Sequence, residues 1–341
     1  MKPRAVFQFI DSRTIGGIES HLLLLAKTIQ QRGYQCEVLF WRMHPAHPVY
    51  PKLVDYGIAY RSAEGSFTRL CRILRQQPSL LATHGYKAGV IGRLAGLLTG
   101  CPVVSTFHSG DPGRGRVRLY SFLDQLTSPL ATRCLSVSRE IQQRLPVKSQ
   151  QVHNFVDCGQ QECRNGQQVA FVGRLSHEKG PDLFARICNE VHLPAVVYGD
   201  GPMTEFISRQ PMLDMAGQVN MDHHWHKIGV LCITSRHEGL PLVALEAMSR
   251  GIPVISFAIG GLPELIRDGQ NGWLIQPEDI EGFKRALMQW QQLTELQRAR
   301  MARAAQQTIE SEYSCDAVVP EILLQYQWAC AEKSARRKLR A

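Results

Sequence analysis

Short β-rich runs alternate with helical patterns from one end of this 341-residue chain to the other, and that alternation limits its fold more than any other feature. Strands separated by helix-length segments pair in parallel, with the helices crossing over the sheet faces. The runs form two series. The first holds AVFQFI (5–10), a helical pattern from Ile18 to Arg32, QCEVLFW (35–41), LLATH (80–84), PVVSTFH (102–108) and CLSVS (134–138). The second holds QVAFVGR (168–174), PAVVYG (194–199), VLCIT (230–234), PVISF (253–257) and GWLI (272–275), each followed by a helical stretch. Gly and Pro punctuate the gaps. Between the series lies GQQECRNGQQ (159–168), too poor in apolar residues to join a core. The expected organisation is a domain over 1–158, a linker over 159–168, a second domain over 169–320 and a C-terminal helix with a basic tail over 321–341. Residues 280–333 read as helical throughout, and SARRKLRA at the end reads as frayed.

Several function classes drop out early. No apolar run approaches the ~20 residues that cross a bilayer, and MKPRAVFQFIDSR has too short an apolar core for a signal peptide. A cytoplasmic protein is expected. The ten cysteines are scattered without Cys-x-x-Cys or zinc-type His spacing, so reduced and mostly buried thiols are expected. The net charge of +9 is unevenly spread. Residues 1–150 carry 20 Lys/Arg against 8 Asp/Glu, or +12, and residues 151–341 carry 19 against 22, or −3. A half so basic suits an anionic acceptor or a phospholipid surface, and no nucleic-acid-binding signature accompanies it. In GSFTRLCRILRQQP (65–78), Phe67, Leu70, Ile73 and Leu74 form one helical stripe with Arg69, Arg72 and Arg75 around it. That pattern fits a helix on an anionic membrane and equally a packing helix with a solvated basic face. Arg114, Arg116 and Arg118 form a second basic cluster.

The residues that carry chemistry concentrate in the second half. SRHEGLPLVALEAMSRGIPVIS (235–256) leaves a strand, turns through Glu238, Gly239, Leu240 and Pro241, and enters an apolar helix that carries Glu246. On a continuous helix, positions eight apart lie ~12 Å apart, beyond the ~5 to 10 Å between the paired carboxyls of a glycosidase. Acids so spaced suit two ends of one long ligand. In FVGRLSHEKGPDLF (171–184) a strand ends at Gly173 and Arg174, and Lys179 precedes a helix, so two cations sit at the strand edge where open α/β sheets bind ligands. Gly199, Asp200, Gly201 and Pro202 close another strand, as any tight turn might be built. In the first half, RTIGGIE (13–19) opens a helix with Gly16 and Gly17, which permit close backbone approach. His108 ends the strand PVVSTFH. The run Asp222 to His226 (DHHWH) invites a metal, but consecutive residues cannot aim at one ion, and no Asp-x-Asp motif occurs.

These stretches together resemble the retaining glycosyltransferases of family 4. The resemblance covers nearly the whole chain and implies the GT-B fold: two facing Rossmann-like domains with parallel sheets and a cleft between them. It implies an enzyme that moves a sugar from a nucleoside-diphosphate sugar to a glycan or lipid-linked acceptor, in bacterial envelope polysaccharide or lipopolysaccharide synthesis. Glu238 would contact hydroxyls of the transferred sugar and Glu246 the ribose, with Gly239, Leu240 and Pro241 at the phosphate or sugar oxygens. Arg174 and Lys179, with Gly173 and Gly199 beside them, would neutralise the leaving diphosphate without a metal or cofactor. Gly16 and Gly17 would reach the donor phosphates, and His108 would stand beside the sugar. GQVNMD (217–222) matches the stretch that meets the base but is shortened here. Asn154, Phe155, Val156 and Asp157 match a hinge-like junction. Domain closure would exclude water. Two alternatives stay open on the residues alone: a sugar-nucleotide epimerase on the same fold, and a catalytically silent nucleotide-sugar-binding subunit.

Overall fold

The computed structural model describes residues 5–13, 16–108, 116–159 and 166–338. The chain divides into two compact units, Met1–Phe155 with Cys315–Ala341, and Val156–Ser314. In chain order the first contains β1 (Ala5–Ile10), α1 (Gly17–Gln31), β2 (Gln35–Phe40), α2 (Val49–Asp55), β3 (Ala59–Ser62), α3 (Phe67–Gln76), β4 (Ser79–His84), α4 (Tyr86–Thr99), β5 (Val103–Phe107), α5 (Arg116–Thr127), β6 (Arg133–Ser136), α6 (Arg139–Arg144) and β7 (Gln150–Gln151). The second contains β8 (Gln168–Val172), α7 (Pro181–Glu190), β9 (Ala195–Tyr198), α8 (Thr204–Ile207), β10 (Leu213–Gly217), β11 (Ile228–Ile233), α9 (Leu242–Ser249), β12 (Val254–Phe257), α10 (Leu262–Leu265), β13 (Gly272–Ile275), α11 (Ile280–Gln292) and α12 (Glu295–Thr308). The last helix, α13 (Cys315–Lys338), returns to the first unit.

The first sheet runs β3-β2-β1-β4-β5-β6-β7 and the second β10-β9-β8-β11-β12-β13, every pairing parallel. In each, the chain reverses its direction of growth next to the first strand: between β1 and β4, and between β8 and β11. β1 and β4 are buried at every residue, as central parallel strands covered on both faces must be. Local signals set the helix ends. Ser66, Ser138 and Asp279 accept backbone N–H bonds at the starts of α3, α6 and α11, and Thr294 with Gln297 forms a capping box on α12.

Three differences from the sequence reading follow from packing. First, the residues expected as a separate C-terminal piece belong to the first core: Val319, Ile322, Tyr326 and Ala329 lie on one face of α13 and bury among Val6, Leu25, Leu80 and Val104. That face takes α13 out of the second domain from Cys315, and the helix continues through the basic tail to Lys338. Second, the units divide at Phe155 and Val156, ahead of the expected linker, of which 160–165 lie outside the described residues. Phe155 is buried in the first core, whereas Val156 joins a core of the second and bridges Ser314, beside the other crossing point. Third, the apolar stripe of α3 is not free for a membrane, because Leu70, Ile73 and Leu74 are buried and Phe67 half-buried, while Arg69, Arg72 and Arg75 are exposed. Arg114 lies outside the described residues. The described cysteines are free thiols, all buried except the half-buried Cys158 and Cys315. No helix among the described residues is long and apolar enough to cross a membrane.

Candidate active site

In the second unit, both motifs that the sequence singles out leave the sheet at its switch point. Open α/β sheets bind ligands beyond the carboxyl ends of the strands at such a point, because the crossovers there diverge to opposite faces. β8 runs into Gly173, Arg174 and Lys179, and β11 into Ser235 and Glu238. Fifty-nine residues apart in the chain, Lys179 and Glu238 meet: Lys179 Nζ donates to Glu238 Oε1 at 2.7 Å and to Oε2 at 2.8 Å. Ser235 Oγ donates to the same Oε1 at 2.7 Å. The Glu238 side chain is 7% exposed and that of Lys179 31%, so the ammonium is the accessible member of the pair. Arg174 is exposed and makes no ion pair among the described residues.

The backbone beneath this pair is tied down on three sides. Gly180 has φ +65°, and a Cβ there would lie 2.1 Å from the carbonyl oxygen of Thr234, so only glycine fits. Thr234 Oγ1 donates to Gly180 O at 2.7 Å. Arg236 then clasps the loop. Its amide donates to Glu178 O, its guanidinium to His177 O, and two of its nitrogens to Asp182 at 2.9 and 2.6 Å. On the second side, the turns after β8 and β9 run backbone to backbone. Gly173 N donates to Tyr198 O and Leu175 N to Asp200 O, and a Cβ on Gly199 would lie 1.9 Å from Gly173 O. On the third, a Cβ on Gly260 would lie 2.4 Å from the carbonyls of both Glu238 and Gly239. Arg236, Asp182 and Gly260 are not among the residues picked from the sequence, although a Gly-Gly pair two residues after PVISF was visible there.

Leu240 and Pro241 are buried at the entry to α9, and Glu246 sits half-buried one turn further along. Arg250 donates to Glu246 O and contacts Asp222 Oδ1 at 3.3 Å, its guanidinium 5.2 Å from the Trp225 ring centre. The DHHWH run is thereby spread apart, with Asp222 on Arg250, Trp225 buried and His224 against Tyr198. GQVNMD lies at the end of the edge strand β10, two strands from the switch point.

The first unit has its own switch point between β1 and β4. Gly16 and Gly17 open α1 there with both residues exposed, and His21, one turn on, is buried. His84 ends β4 and His108 follows β5. His84 Nδ1 lies 3.0 Å from His108 Nε2, and His84 Nε2 lies 2.7 Å from Gln8 Oε1, whose amide nitrogen reaches the Tyr326 hydroxyl at 3.5 Å. With the Gln8 oxygen toward His84, Nε2 of His84 carries a proton and Nδ1 accepts from His108 Nε2–H. His108 Nδ1 is then left as an acceptor. Burial lowers the His108 pKa to about 4, and burial with the neighbouring imidazoles holds His21 and His84 well below the usual range. All three rings are neutral near pH 7. One donor nitrogen from each lies within 4.8 Å of the others, which would allow a metal ion. His84 and His108 are joined by a hydrogen bond, and His21 packs edge-on against the His108 ring at an interplanar angle of 71° without a hydrogen bond to either ring.

Comparison with known proteins matches this geometry to a family. The model for glycosyltransferase family 4 matches residues 15–159, and that for glycosyl transferases group 1 matches residues 160–308. The chain belongs to glycosyltransferase family 4. This glycosyltransferase is 24% identical to the D-inositol 3-phosphate glycosyltransferase of Mycobacterium marinum over 95% of its own length and 84% of the relative's. It is 29% identical to the O-antigen biosynthesis glycosyltransferase WbnH of Escherichia coli over 63% of its length and 69% of that protein. The crystal structure of Anabaena HepE in complex with UDP superposes with a TM-score of 0.77 at 18% identity, covering 98% of this chain and 100% of that one. The two parallel-sheet, Rossmann-like units are those of the GT-B fold.

Proposed function

We propose that the glycosyltransferase takes a nucleoside-diphosphate sugar at the β8/β11 switch point and transfers the sugar with retention of configuration, without a metal. The Lys179–Glu238 pair carries this reading. An ammonium held at a strand edge and partly exposed, with exposed Arg174 earlier in the same loop, suits a pyrophosphate. The carboxylate that holds it suits sugar hydroxyls on the other side. In this scheme Glu246 takes the ribose hydroxyls. The bond from C1 of the sugar to the phosphate oxygen breaks as the acceptor oxygen attacks from the same face. The acceptor proton passes to the departing phosphate, whose growing charge Lys179 and Arg174 offset. His108 Nδ1 accepts a hydrogen bond from a sugar or acceptor hydroxyl without adding charge. The proposed acceptor is a glycan or lipid-linked glycan of envelope polysaccharide or lipopolysaccharide synthesis, a reading supported by the likeness to the O-antigen enzyme. A cytoplasmic location follows from that donor.

UDP is the first nucleotide to test, because HepE was solved with it. In a thermal-shift series of UDP, GDP, ADP and their sugars with and without EDTA, one nucleotide should stabilise the protein equally in both conditions. A shift abolished by EDTA would sink the metal-free site, and no shift from any nucleotide would sink the donor site.

A further inference from the structure

The outward face of α3, α4 and α5 carries chemistry that glycosyl transfer does not use. Of the fifteen large apolar side chains exposed among the described residues, eight lie within residues 94–130, so the exposure is concentrated on one part of the first unit. Leu97, Leu98, Leu119, Phe122 and Leu126 each leave 57% to 61% of their surface uncovered. The three helices form one layer. Arg75 Nη2 donates to Leu98 O at 3.3 Å and joins α3 to α4, while buried Arg93 donates to Asp124 O at 2.8 Å and joins α4 to α5. The inner sides of α3 and α4 cover Phe7, Phe9 and Leu81 of the sheet, and α5 extends that layer on the far side of α4.

The charge on this layer has one sign. The helices contain Arg69, Arg72, Arg75, Lys87, Arg93, Arg116 and Arg118 against a single acid, Asp124, which is buried on Arg93. Arg69 pairs with Glu64 and Lys87 with Asp11. Arg72, Arg75 and Arg118 are exposed and meet no acid among the described residues. The face therefore offers water apolar, neutral polar and cationic groups, and no unpaired acid among the described residues. Large apolar side chains exposed together on neighbouring helices point to a docking site. A second copy of the chain would set arginine against arginine across a self-complementary interface. An anionic lipid surface satisfies both features at once, with acyl chains for the leucines and Phe122 and phosphates for the guanidiniums.

We propose that the outer face of α3, α4 and α5 seats this protein on an anionic lipid bilayer, with Leu97, Leu98, Leu119, Phe122 and Leu126 entering the headgroup boundary and Arg72, Arg75 and Arg118 on lipid phosphates. The seat is independent of the donor site. Flotation of the full-length protein with phosphatidylcholine vesicles, and with vesicles mixed with phosphatidylglycerol, tests it. Binding is expected only to the anionic vesicles. Arg72→Ala with Arg75→Ala should weaken it about 25-fold, a factor of about five for each arginine removed. Phe122→Ser with Leu126→Ser should weaken it at least about tenfold, with the melting temperature and nucleotide shift unchanged because both side chains are exposed. Absence of wild-type binding, or binding that neither pair of substitutions alters, overturns the proposal. A change in solution mass on Phe122→Ser with Leu126→Ser, in a protein that floats with neither vesicle, overturns it in favour of a protein interface. Loss of nucleotide binding with intact flotation would refute the transfer reading alone.

Discussion

Neutralising Glu238 should separate nucleotide binding from sugar transfer, because the ion pair sets the pyrophosphate in competition with Glu238 for one ammonium. Both carboxylate oxygens hold Lys179 Nζ within 2.8 Å, in a pair intermediate between exposed and buried. An exposed pair contributes about 0 to 1 kcal/mol, and breaking a fully buried one costs about 3 to 5 kcal/mol. With the ammonium 31% exposed, about 1 kcal/mol of ionic attraction is a fair value. Glu238→Gln keeps the shape and the Ser235 hydrogen bond and removes that attraction. UDP should then bind equally well or up to about fivefold tighter, since 1.4 kcal/mol is a factor of ten. Transfer should fall by about 10²-fold or more, because the sugar hydroxyls lose a charged acceptor. Glu246→Gln should instead weaken UDP about tenfold or more, as a charge-assisted hydrogen bond to the ribose is worth about 1.5 to 3 kcal/mol. Calorimetric titration with UDP and mass-spectrometric counting of product read the two effects separately. Equal losses of UDP affinity in both variants would overturn the division of roles, and a tenfold loss in Glu238→Gln alone would overturn the competition.

The same geometry makes other outcomes measurable. Gly199→Ala should destabilise the protein by about 2 kcal/mol or more, because its Cβ would lie 1.9 Å from Gly173 O and the residue holds φ +142°; an unchanged melting temperature would contradict this. His108 titrates at about 4 in the folded chain and near 6.5 when unfolded, so the unfolded state binds the extra proton between those values. Its contribution, about 3 kcal/mol from the size of that shift, is fully present above pH 6.5 and is lost as pH falls toward 4. His21 and His84 act in the same direction. Denaturant titrations from pH 7 to pH 4 should show this fall, and a flat profile would refute neutral burial. His21→Phe should leave stability unchanged or higher by about 1 kcal/mol while lowering transfer, since neither ring nitrogen has a hydrogen-bond partner in the structure and the ring packs on Phe155. A large stability loss would show a structural role instead.

Legibility in the sequence tracked burial. β1, β4 and β5 are buried on both faces, so their residues must be apolar and they stand out as continuous runs. β3 and β10 were missed because they lie at sheet edges and are half exposed, with Arg61 and Asp214 inside them. Each half of the candidate donor site was legible as a local motif. The contact between Lys179 and Glu238 was not, because it depends on β11 pairing with β8 across the two strands between them in the chain. His108 was picked out and its partners His84 and Gln8 were not, although His84 ends a run as apolar as the one before His108. What joins them is the placement of β1, β4 and β5 side by side, which no single run contains. The core that receives α13 was hidden for the same reason: its apolar face is periodic, but periodicity does not say which sheet it covers.

The two switch points carry opposite electrostatics, and the difference bears on how transfer could work. The second unit concentrates formal charge there, with a partly exposed cation and a carboxylate that holds it. The first unit places three neutral imidazoles at its switch point and fixes the protons of two of them, His84 and His108, through Gln8. Burial keeps His108 near pKa 4, so its ring can accept a hydrogen bond from a hydroxyl without adding charge. The hydrogen bonds from Gln8 through His84 to His108 predict how this fails. Gln8→Leu removes the acceptor that fixes His84 Nε2–H, so His84 can switch tautomer and present N–H to His108. His108 must then accept through Nε2 and carry its proton on Nδ1, which turns that acceptor into a donor. Transfer should fall while UDP affinity at Lys179 stays unchanged, and a parallel loss of both would show that Gln8 acts through the fold alone.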